Sequence, residues 1–94
     1  MTRKVTILPL ARRDHIRLEA FLQTKSPASA LRAAQAIAHA VRTLDEHAER
    51  GRLVSERGLR ELAVRLGRDG YVIQYIATDR EVPVARIFHT REDR

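Results

Sequence analysis

Apolar and polar residues alternate clearly in the second half of the chain. In the run from Leu59 to Leu66, the side chains of Leu62, Val64 and Leu66 share one parity, and Glu61 and Arg65 take the other. A period of two residues is typical of a β-strand with one buried face. The run ends at Gly67-Arg68-Asp69-Gly70, whose glycines suit the positive φ of a tight hairpin loop.

Three more stretches predict strands. Tyr71 to Ala77 is β-branched and aromatic, and Val82 to His89 follows it after a polar turn. Loops of about four residues between such runs indicate an antiparallel meander. Near the N-terminus, Lys4 to Leu10 predicts a short first strand, which Pro9 closes or places at a sheet edge.

Two segments between the first strand and the meander predict helices. From Ala11 to Thr24, one face at helical spacing carries Ala11, His15, Leu18, Phe21 and Leu22. Ser26-Pro27 then predicts a second helix start, with serine as N-cap and proline at the first position. This helix extends to about Glu46, with a core stripe of Leu31, Ala34, Ile37, Ala38, Val41 and Leu44.

The order of elements predicts an α+β fold of the type β-α-α-β-β-β. The short connection between the helices favours an antiparallel hairpin, which covers one face of a four-stranded, mostly antiparallel, twisted sheet. Ninety-four residues with 44% hydrophobic content suffice for one modest core, so we expect a single domain over residues 1–94.

Several classes of protein and site are not supported. The chain has no cysteine, which excludes disulfides and thiolate metal sites. No apolar stretch approaches the ~20 residues of a membrane span. There is no glycine-rich phosphate loop, no nucleophile elbow and no histidine pair at metal spacing. We expect a soluble cytoplasmic protein without a metal or cofactor.

The charge is the feature that bears most on possible partners. The net charge is +6, and every basic residue except Lys4 and Lys25 is an arginine. Such a surface is either ordinarily solvated or binds an anionic partner, namely nucleic acid or an acidic protein. Two tyrosines and two phenylalanines are too few for a base-stacking platform.

A cluster of cations is predicted on the sheet face that the helices leave open. An antiparallel meander brings adjacent strands within ~5 Å of one another, so residues from different strands can share a surface. The candidate target-binding residues are Arg60, Arg65, Arg86, His89 and Arg91.

The whole chain resembles the RelE/ParE superfamily of type II toxin–antitoxin toxins. The resemblance rests on the order and spacing of short motifs: Ala11-x-x-Asp14, Ser26-Pro27, Gly51-Arg52, Gly58-Leu59-Arg60-Glu61-Leu62, Gly70-Tyr71-Val72-Ile73 with Tyr75, and Ile87-x-His89-x-Arg91. It implies the same fold and the toxin component of such a system.

The superfamily has two functional branches, and the resemblance favours the ParE-like one. RelE-like members are ribosome-dependent mRNA endonucleases with a basic cluster and often a C-terminal tyrosine or histidine. ParE-like members lack that catalytic set and inhibit DNA gyrase. The ending His89-Thr90-Arg91-Glu92 is similar to the ParE type. No tyrosine follows the last strand, and the link before Gly58 carries no lysine.

Two alternatives remain open, and with them the question of whether the chain is an enzyme. In a RelE-like ribonuclease, the same five candidate residues would be catalytic. His89 would act as acid or base because an imidazole titrates near neutrality, and the arginines would bind phosphate. The third hypothesis is a non-toxic interaction module of the same fold.

In both toxin hypotheses the main partner is a cognate antitoxin, besides DNA gyrase or, alternatively, the ribosome and mRNA. The positive charge predicts an acidic, partly disordered antitoxin segment that folds on binding. The hairpin surface offers a groove for an amphipathic helix. The predicted antitoxin-binding residues are Leu18, Phe21, Ala33, Ala36, Ala40 and Tyr75.

Overall fold

The computed structural model describes residues 2–92, so residues 1, 93 and 94 of the predicted domain lie outside the described residues. Five strands and two α-helices follow one another along the chain, with one turn of 3₁₀ helix at Ala48–Arg50. They are β1 Lys4–Ile7, α1 Pro9–Lys25, α2 Pro27–Thr43, β2 Arg52–Leu53, β3 Leu59–Leu66, β4 Asp69–Ile76 and β5 Glu81–His89.

The strands form one sheet in the order β1-β5-β4-β3-β2. β1 pairs with β5 in parallel, and the other three pairings are antiparallel. The predicted α+β fold is thereby confirmed, whereas the predicted number of four strands is wrong because β2 adds a fifth. β2 has only two residues, which is too short for a periodic signal, and it lies in a stretch predicted as a polar link.

The β3–β4 hairpin is tighter than predicted. Its loop has two residues, Gly67 and Arg68, because Asp69 and Gly70 already belong to β4. Gly67 has a φ of 60°, which a residue without Cβ adopts at little cost and which two-residue hairpin loops require.

The helices begin where proline and serine predict a start. Pro9 is at the first turn of α1, so the first strand ends at Ile7 and not at Leu10 as predicted. Ser26 alone separates the helices. Its N–H donates to the carbonyl of Leu22 at 2.9 Å, and its Oγ accepts from the N–H of Ser29 at 3.3 Å. One residue therefore ends α1 and caps α2.

The core lies between the helical hairpin of α1 and α2 and one face of the sheet. On that face, Tyr71, Ile73 and Tyr75 of β4 are almost fully buried. The predicted core stripe of α2 is shifted by one residue in its first two turns, where Ala30 and Ala33 pack inward in place of Leu31 and Ala34. The face that packs inward carries Ala30, Ala33, Ile37, Ala40, Val41 and Leu44.

The misplaced residues of this stripe are exposed or half-buried. Leu31 and Ala38 are exposed, and Ala34 is half-buried. On the predicted apolar face of α1, Ala11 and Leu18 are buried, whereas Phe21 is 57% exposed. Within the described residues, no helix is long and apolar enough to cross a membrane.

Candidate functional site at the end of the last strand

The site begins where β1 stops covering β5. Pairing between these strands ends at Ile7 opposite Val84, after which the chain turns into α1. The carboxylate of Asp14, one and a half turns into that helix, then reaches the same strand. Its Oδ2 accepts the N–H of Ile87 at 2.9 Å. A side chain of α1 thus satisfies a backbone donor of β5 beyond the end of β1.

Arg86 holds the same carboxylate with two hydrogen bonds. Its Nε donates to Oδ2 of Asp14 at 2.7 Å and its Nη2 to Oδ1 at 3.0 Å. The guanidinium also lies over the ring of Phe88, with 4.6 Å between its Cζ and the ring centroid. Such a paired, two-pronged contact fixes both the distance and the plane of the guanidinium.

The protonation of Asp14 is set by opposing effects. Burial by itself would raise the pKa of this carboxyl, because the residue is only 4% exposed. Hydrogen bonds from Arg86, from the N–H of Ile87 and from Arg17 outweigh burial and hold the pKa below its ordinary value. Asp14 is therefore ionised at neutral pH, and its bond raises the pKa of Arg86.

A second arginine of α1 extends these contacts to the turn after β5. Arg17 donates to Oδ1 of Asp14 at 3.3 Å and forms an ion pair with Glu92. The other oxygen of Glu92 accepts the N–H of His89 at 2.9 Å. Asp14, Arg17, Arg86 and Glu92 thus form one ionic network, which ties α1 to both ends of the segment 86–92.

The imidazole of His89 is held on both nitrogens. Nδ1 accepts the N–H of Arg91 at 3.1 Å, so the proton is assigned to Nε2, which lies 3.1 Å from Oδ1 of Asp69. The ring also meets Tyr71 edge-on, with centroids 5.2 Å apart. Burial and the charge of Asp69 raise the pKa of the Tyr71 hydroxyl. His89 therefore joins the start of β4 to the end of β5.

Comparison with known families identifies this arrangement. Residues 5–94 match the family model described as "ParE toxin of type II toxin-antitoxin system, parDE". The chain belongs to the ParE toxin family. It is accordingly the toxin component of a type II toxin–antitoxin system, a class that works with a cognate antitoxin.

Two curated relatives and one solved structure are similar over nearly the whole ParE-family toxin. "Toxin RelE3" of Caulobacter vibrioides is 38% identical over 98% of this chain and 99% of its own length. "Toxin RelE1" of the same organism is 35% identical over 100% of both chains. A structure titled "Chromosomal ParDE TA system from P. aeruginosa" superposes with a TM-score of 0.76, at 22% identity and covering 93% of this chain and 95% of that one.

The candidate target-binding residues of the toxin do not all lie together. Arg65 of β3 is opposite Gly70, whose carbonyl accepts the N–H of Thr90, so it lies near the turn that carries Arg91. Arg60 lies toward the other end of β3. Its Nη1 donates to the carbonyls of Gly51 at 2.8 Å and Glu49 at 3.4 Å. The predicted cluster on the open sheet face is therefore wrong for Arg60, which holds a loop. It is also wrong for His89, which pairs with the core residue Tyr71 and so lies on the face that the helices cover.

The residues predicted to bind the antitoxin are mostly inaccessible. Leu18, Ala33, Ala40 and Tyr75 are at most 7% exposed, and Ala36 is half-buried. The alanines are buried because their small side chains let α2 approach its neighbours closely. Leu18 and Tyr75 are part of the same core. The predicted alanine surface is therefore a packing surface, and Phe21 is the exposed member of the set.

Phe21 borders an open groove of about 570 Å³ between α1 and the turn after β5. Leu18 and Leu22 contribute apolar surface, whereas Lys25 and Arg91 contribute positive charge. Neither cation has an ion-pair partner among residues 2–92, although Lys25 lies 5.5 Å from the ring of Phe21. The carboxylates that also line the groove, Asp69 and Glu92, already bind His89 and Arg17. The groove therefore combines apolar contact area with the unpaired positive charge of Lys25 and Arg91.

Sequence analysis named Asp14 as part of a motif but assigned it no role. A signal was available, because Ala11, Asp14 and Leu18 follow one another at helical spacing on the buried face of α1. A carboxylate at such a position requires buried partners. Two of those partners, Arg86 and Ile87, are more than 70 residues away along the chain, and only the fold reveals them.

Proposed function

We propose that this toxin inhibits growth by binding DNA gyrase through the end of β5, and that its antitoxin blocks this surface. The observation that carries the proposal is the state of His89. Both ring nitrogens have partners within the chain, which suits a fixed binding surface better than an acid–base catalyst. The exposed cation beside it is Arg91. Arg65 of β3 is also exposed, but its parity places it on the opposite face of the sheet from His89.

Purified toxin tests the gyrase interaction directly. We expect dose-dependent loss of supercoiling by gyrase, and broken DNA with intact mRNA when the toxin is expressed alone. Changing Arg91 to alanine weakens the inhibition, because its exposed positive charge is lost. Arg12→Ala is the matched control, since Arg12 is an exposed arginine on α1. Normal supercoiling at excess toxin contradicts the proposal.

The second candidate function is a RelE-like, ribosome-dependent mRNA endonuclease. What favours it is the name RelE given to two relatives that match nearly full length. Cleavage by this site requires His89 to exchange its bond with Asp69 or with the N–H of Arg91 for one with RNA. If ribosome extracts show mRNA cleavage that His89→Ala and Arg86→Ala abolish, the ribonuclease function replaces the gyrase proposal.

A harmless protein of the same fold is the third possibility, and expression in bacteria without the antitoxin separates it from both toxins. Growth arrest supports a toxin, and the macromolecule that fails first identifies its target. Unimpaired growth with verified soluble protein supports the interaction module.

For the antitoxin we propose an acidic amphipathic segment that lies in the groove beside Phe21. Its apolar residues contact Phe21 and Leu22, and its carboxylates pair with Lys25 and Arg91. The charge of +6 on the toxin favours such a partner. This groove replaces the alanine surface as the proposed docking site.

Co-expression with a candidate antitoxin, encoded by the adjacent reading frame, tests the groove. Phe21→Asp places a negative charge against acidic side chains and removes apolar area, so we expect binding to weaken about tenfold or more. Ile16→Asp is the matched control, because Ile16 is 64% exposed on the same helix but does not line the groove. Equal losses from both variants rule out the groove as the docking site.

A further inference from the structure

Asp14 is the one charged residue among residues 2–92 whose side chain is buried. It accepts four hydrogen bonds, from Arg86, from the N–H of Ile87 and from Arg17. A buried carboxylate is tolerated only when such partners surround it. At this buried position on α1, an apolar side chain would need no hydrogen-bond partners. The carboxylate therefore serves a purpose other than filling the core.

β5 depends on Asp14 because it lacks a second strand partner at this point. β1 covers β5 only as far as Val84, and the register with β4 shifts between Gln74 and Tyr75. An irregular register leaves the position of the following residues less strongly specified. Asp14 binds the two residues directly after the irregularity, Arg86 and Ile87.

The ionic network extends the contacts of Asp14 to Glu92, the last described residue. Asp14 orients Arg17, Arg17 binds Glu92, and Glu92 accepts the N–H of His89. Segment 86–92 is thus fastened to α1 at its start and at its end. Loss of the negative charge at Asp14 leaves Arg86 and Arg17 without their shared partner.

We propose that Asp14 is a positioning residue for target binding, which fixes the path of β5 after its irregularity and so presents His89 and Arg91 in the binding geometry. This rests on the proposed function, because the surface so presented is the one assigned to the target. Asp14 itself is buried and does not contact the target.

The experiment compares wild-type toxin with Asp14→Asn, an isosteric change that removes the charge. Glu19→Gln is the matched control, since Glu19 is exposed on the same helix and has no ion pair within residues 2–92. Two readouts are measured well below the unfolding temperature. One is amide hydrogen exchange at Ile87 and His89, and the other is gyrase inhibition per folded molecule.

We expect Asp14→Asn to accelerate exchange at Ile87 and His89 about tenfold relative to the core amide of Ile73. Inhibition per folded molecule falls about fivefold or more, because misplaced contact groups lose binding. Glu19→Gln changes neither readout. Arg86→Lys serves as a second variant, because it keeps the charge but loses the two-pronged contact, and it is expected to shift both readouts in the same direction.

Three results overturn the proposal. Unchanged exchange at Ile87 means that Asp14 does not fix the strand, whatever the toxin inhibits. Faster exchange with unchanged inhibition means that the role of Asp14 is only structural. A variant that lowers the unfolding temperature but keeps full inhibition per folded molecule leads to the same conclusion. If wild-type toxin fails to inhibit gyrase, the proposed function falls, and the exchange measurement still decides whether Asp14 positions β5.

Discussion

The two ends of β4 each bond a connecting segment that lies outside the main helices and strands, and they do so with different chemistry. At one end, the buried hydroxyl of Tyr75 donates to the carbonyl of Ala48 and accepts the N–H of Gly51, both at 2.7 Å. At the other end, Asp69 of β4 bonds His89 and Arg17 of α1 binds Glu92, so charged and partly exposed groups hold residues 89–92. The first anchor is neutral and sealed from water, whereas the second lies beside solvent and a groove.

This difference separates permanent structure from surface that can exchange partners. Burial raises the pKa of the Tyr75 hydroxyl, although the N–H of Gly51 and the charge of Arg60 act in the opposite direction. The tyrosine anchor therefore keeps its hydrogen bonds at every pH that the fold normally meets. A partner's carboxylate can compete for an exposed arginine such as Arg17, but no partner reaches Tyr75.

The largest loss of stability is expected from Gly51→Ala. A Cβ at Gly51 would lie 2.5 Å from Oη and 2.8 Å from Cε1 of Tyr75, a side chain with no room to move. Overpacking of this kind costs about 1–3 kcal/mol, and disturbed hydrogen bonds add to it. Urea denaturation measures the change.

Gly70→Ala is the matched control for Gly51→Ala. Its Cβ would meet the side chain of Thr90 at 3.0 Å, and Thr90 is exposed and free to rotate. A loss at Gly70 as large as that at Gly51 would show that the anchor of Tyr75 is no more rigid than the opposite end.

Tyr75→Phe is expected to cost about 2 kcal/mol. The change removes only the hydroxyl, and the carbonyl of Ala48 and the N–H of Gly51 lose their partner. Both readouts, urea denaturation and amide exchange at Gly51, are expected to respond, whereas gyrase inhibition per folded molecule stays unchanged. Reduced inhibition would mean that the two ends of β4 are coupled.

Asp14→Asn is expected to reduce stability at neutral pH by about 1.5–3 kcal/mol, the range for hydrogen bonds to a charged group. Because the pKa of Asp14 is lowered in the folded state, its contribution is fully present above the unfolded pKa of about 4. It disappears as pH falls through the lower folded pKa. Stability of the variant therefore declines less steeply than wild type below about pH 4. Parallel acid-denaturation curves for the two proteins would contradict this expectation.

The smallest effect is expected from Glu49→Gln. Glu49 pairs with Arg3 at 2.9 Å, and hydrogen bonding by Arg3 lowers the pKa of the carboxyl. The side chain of Glu49 is 63% exposed, so water and salt screen the pair. We expect no change that urea denaturation resolves at 0.15 M salt. A clear loss of stability would show that the end of β4 that carries Tyr75 also depends on an ion pair.

Regular elements with strong local signals were predictable from sequence. β3 has the predicted bounds, Leu59–Leu66, because its alternation is unambiguous. The stripe of α2 was misplaced because Leu31 has more apolar surface than Ala30, although Ala30 is the residue that packs inward. Where α2 packs closely on its neighbours, small residues are required. The hydrophobicity of a residue alone does not indicate where such close packing occurs.

The candidate site was predictable only in part. His89 and Arg91 were predicted as candidates because they follow a recognisable strand in a known order, and the structure places both at the end of β5. The network around Asp14 depends on α1 crossing β5 beyond the end of β1, and a sequence pattern does not specify that crossing. Arg60 was misjudged because strand parity gives a direction but not the loop that the side chain reaches.

The position of β5 between β1 and β4 has a consequence for synthesis on the ribosome. β1 leaves the exit tunnel before the other described strands, yet its neighbour in the sheet, residues 81–89, is the last of them to emerge. A nascent or truncated polypeptide that stops before Glu81 cannot join β1 to the rest of the sheet. Interrupted translation therefore yields fragments that lack the assembled sheet and the surface at the end of β5.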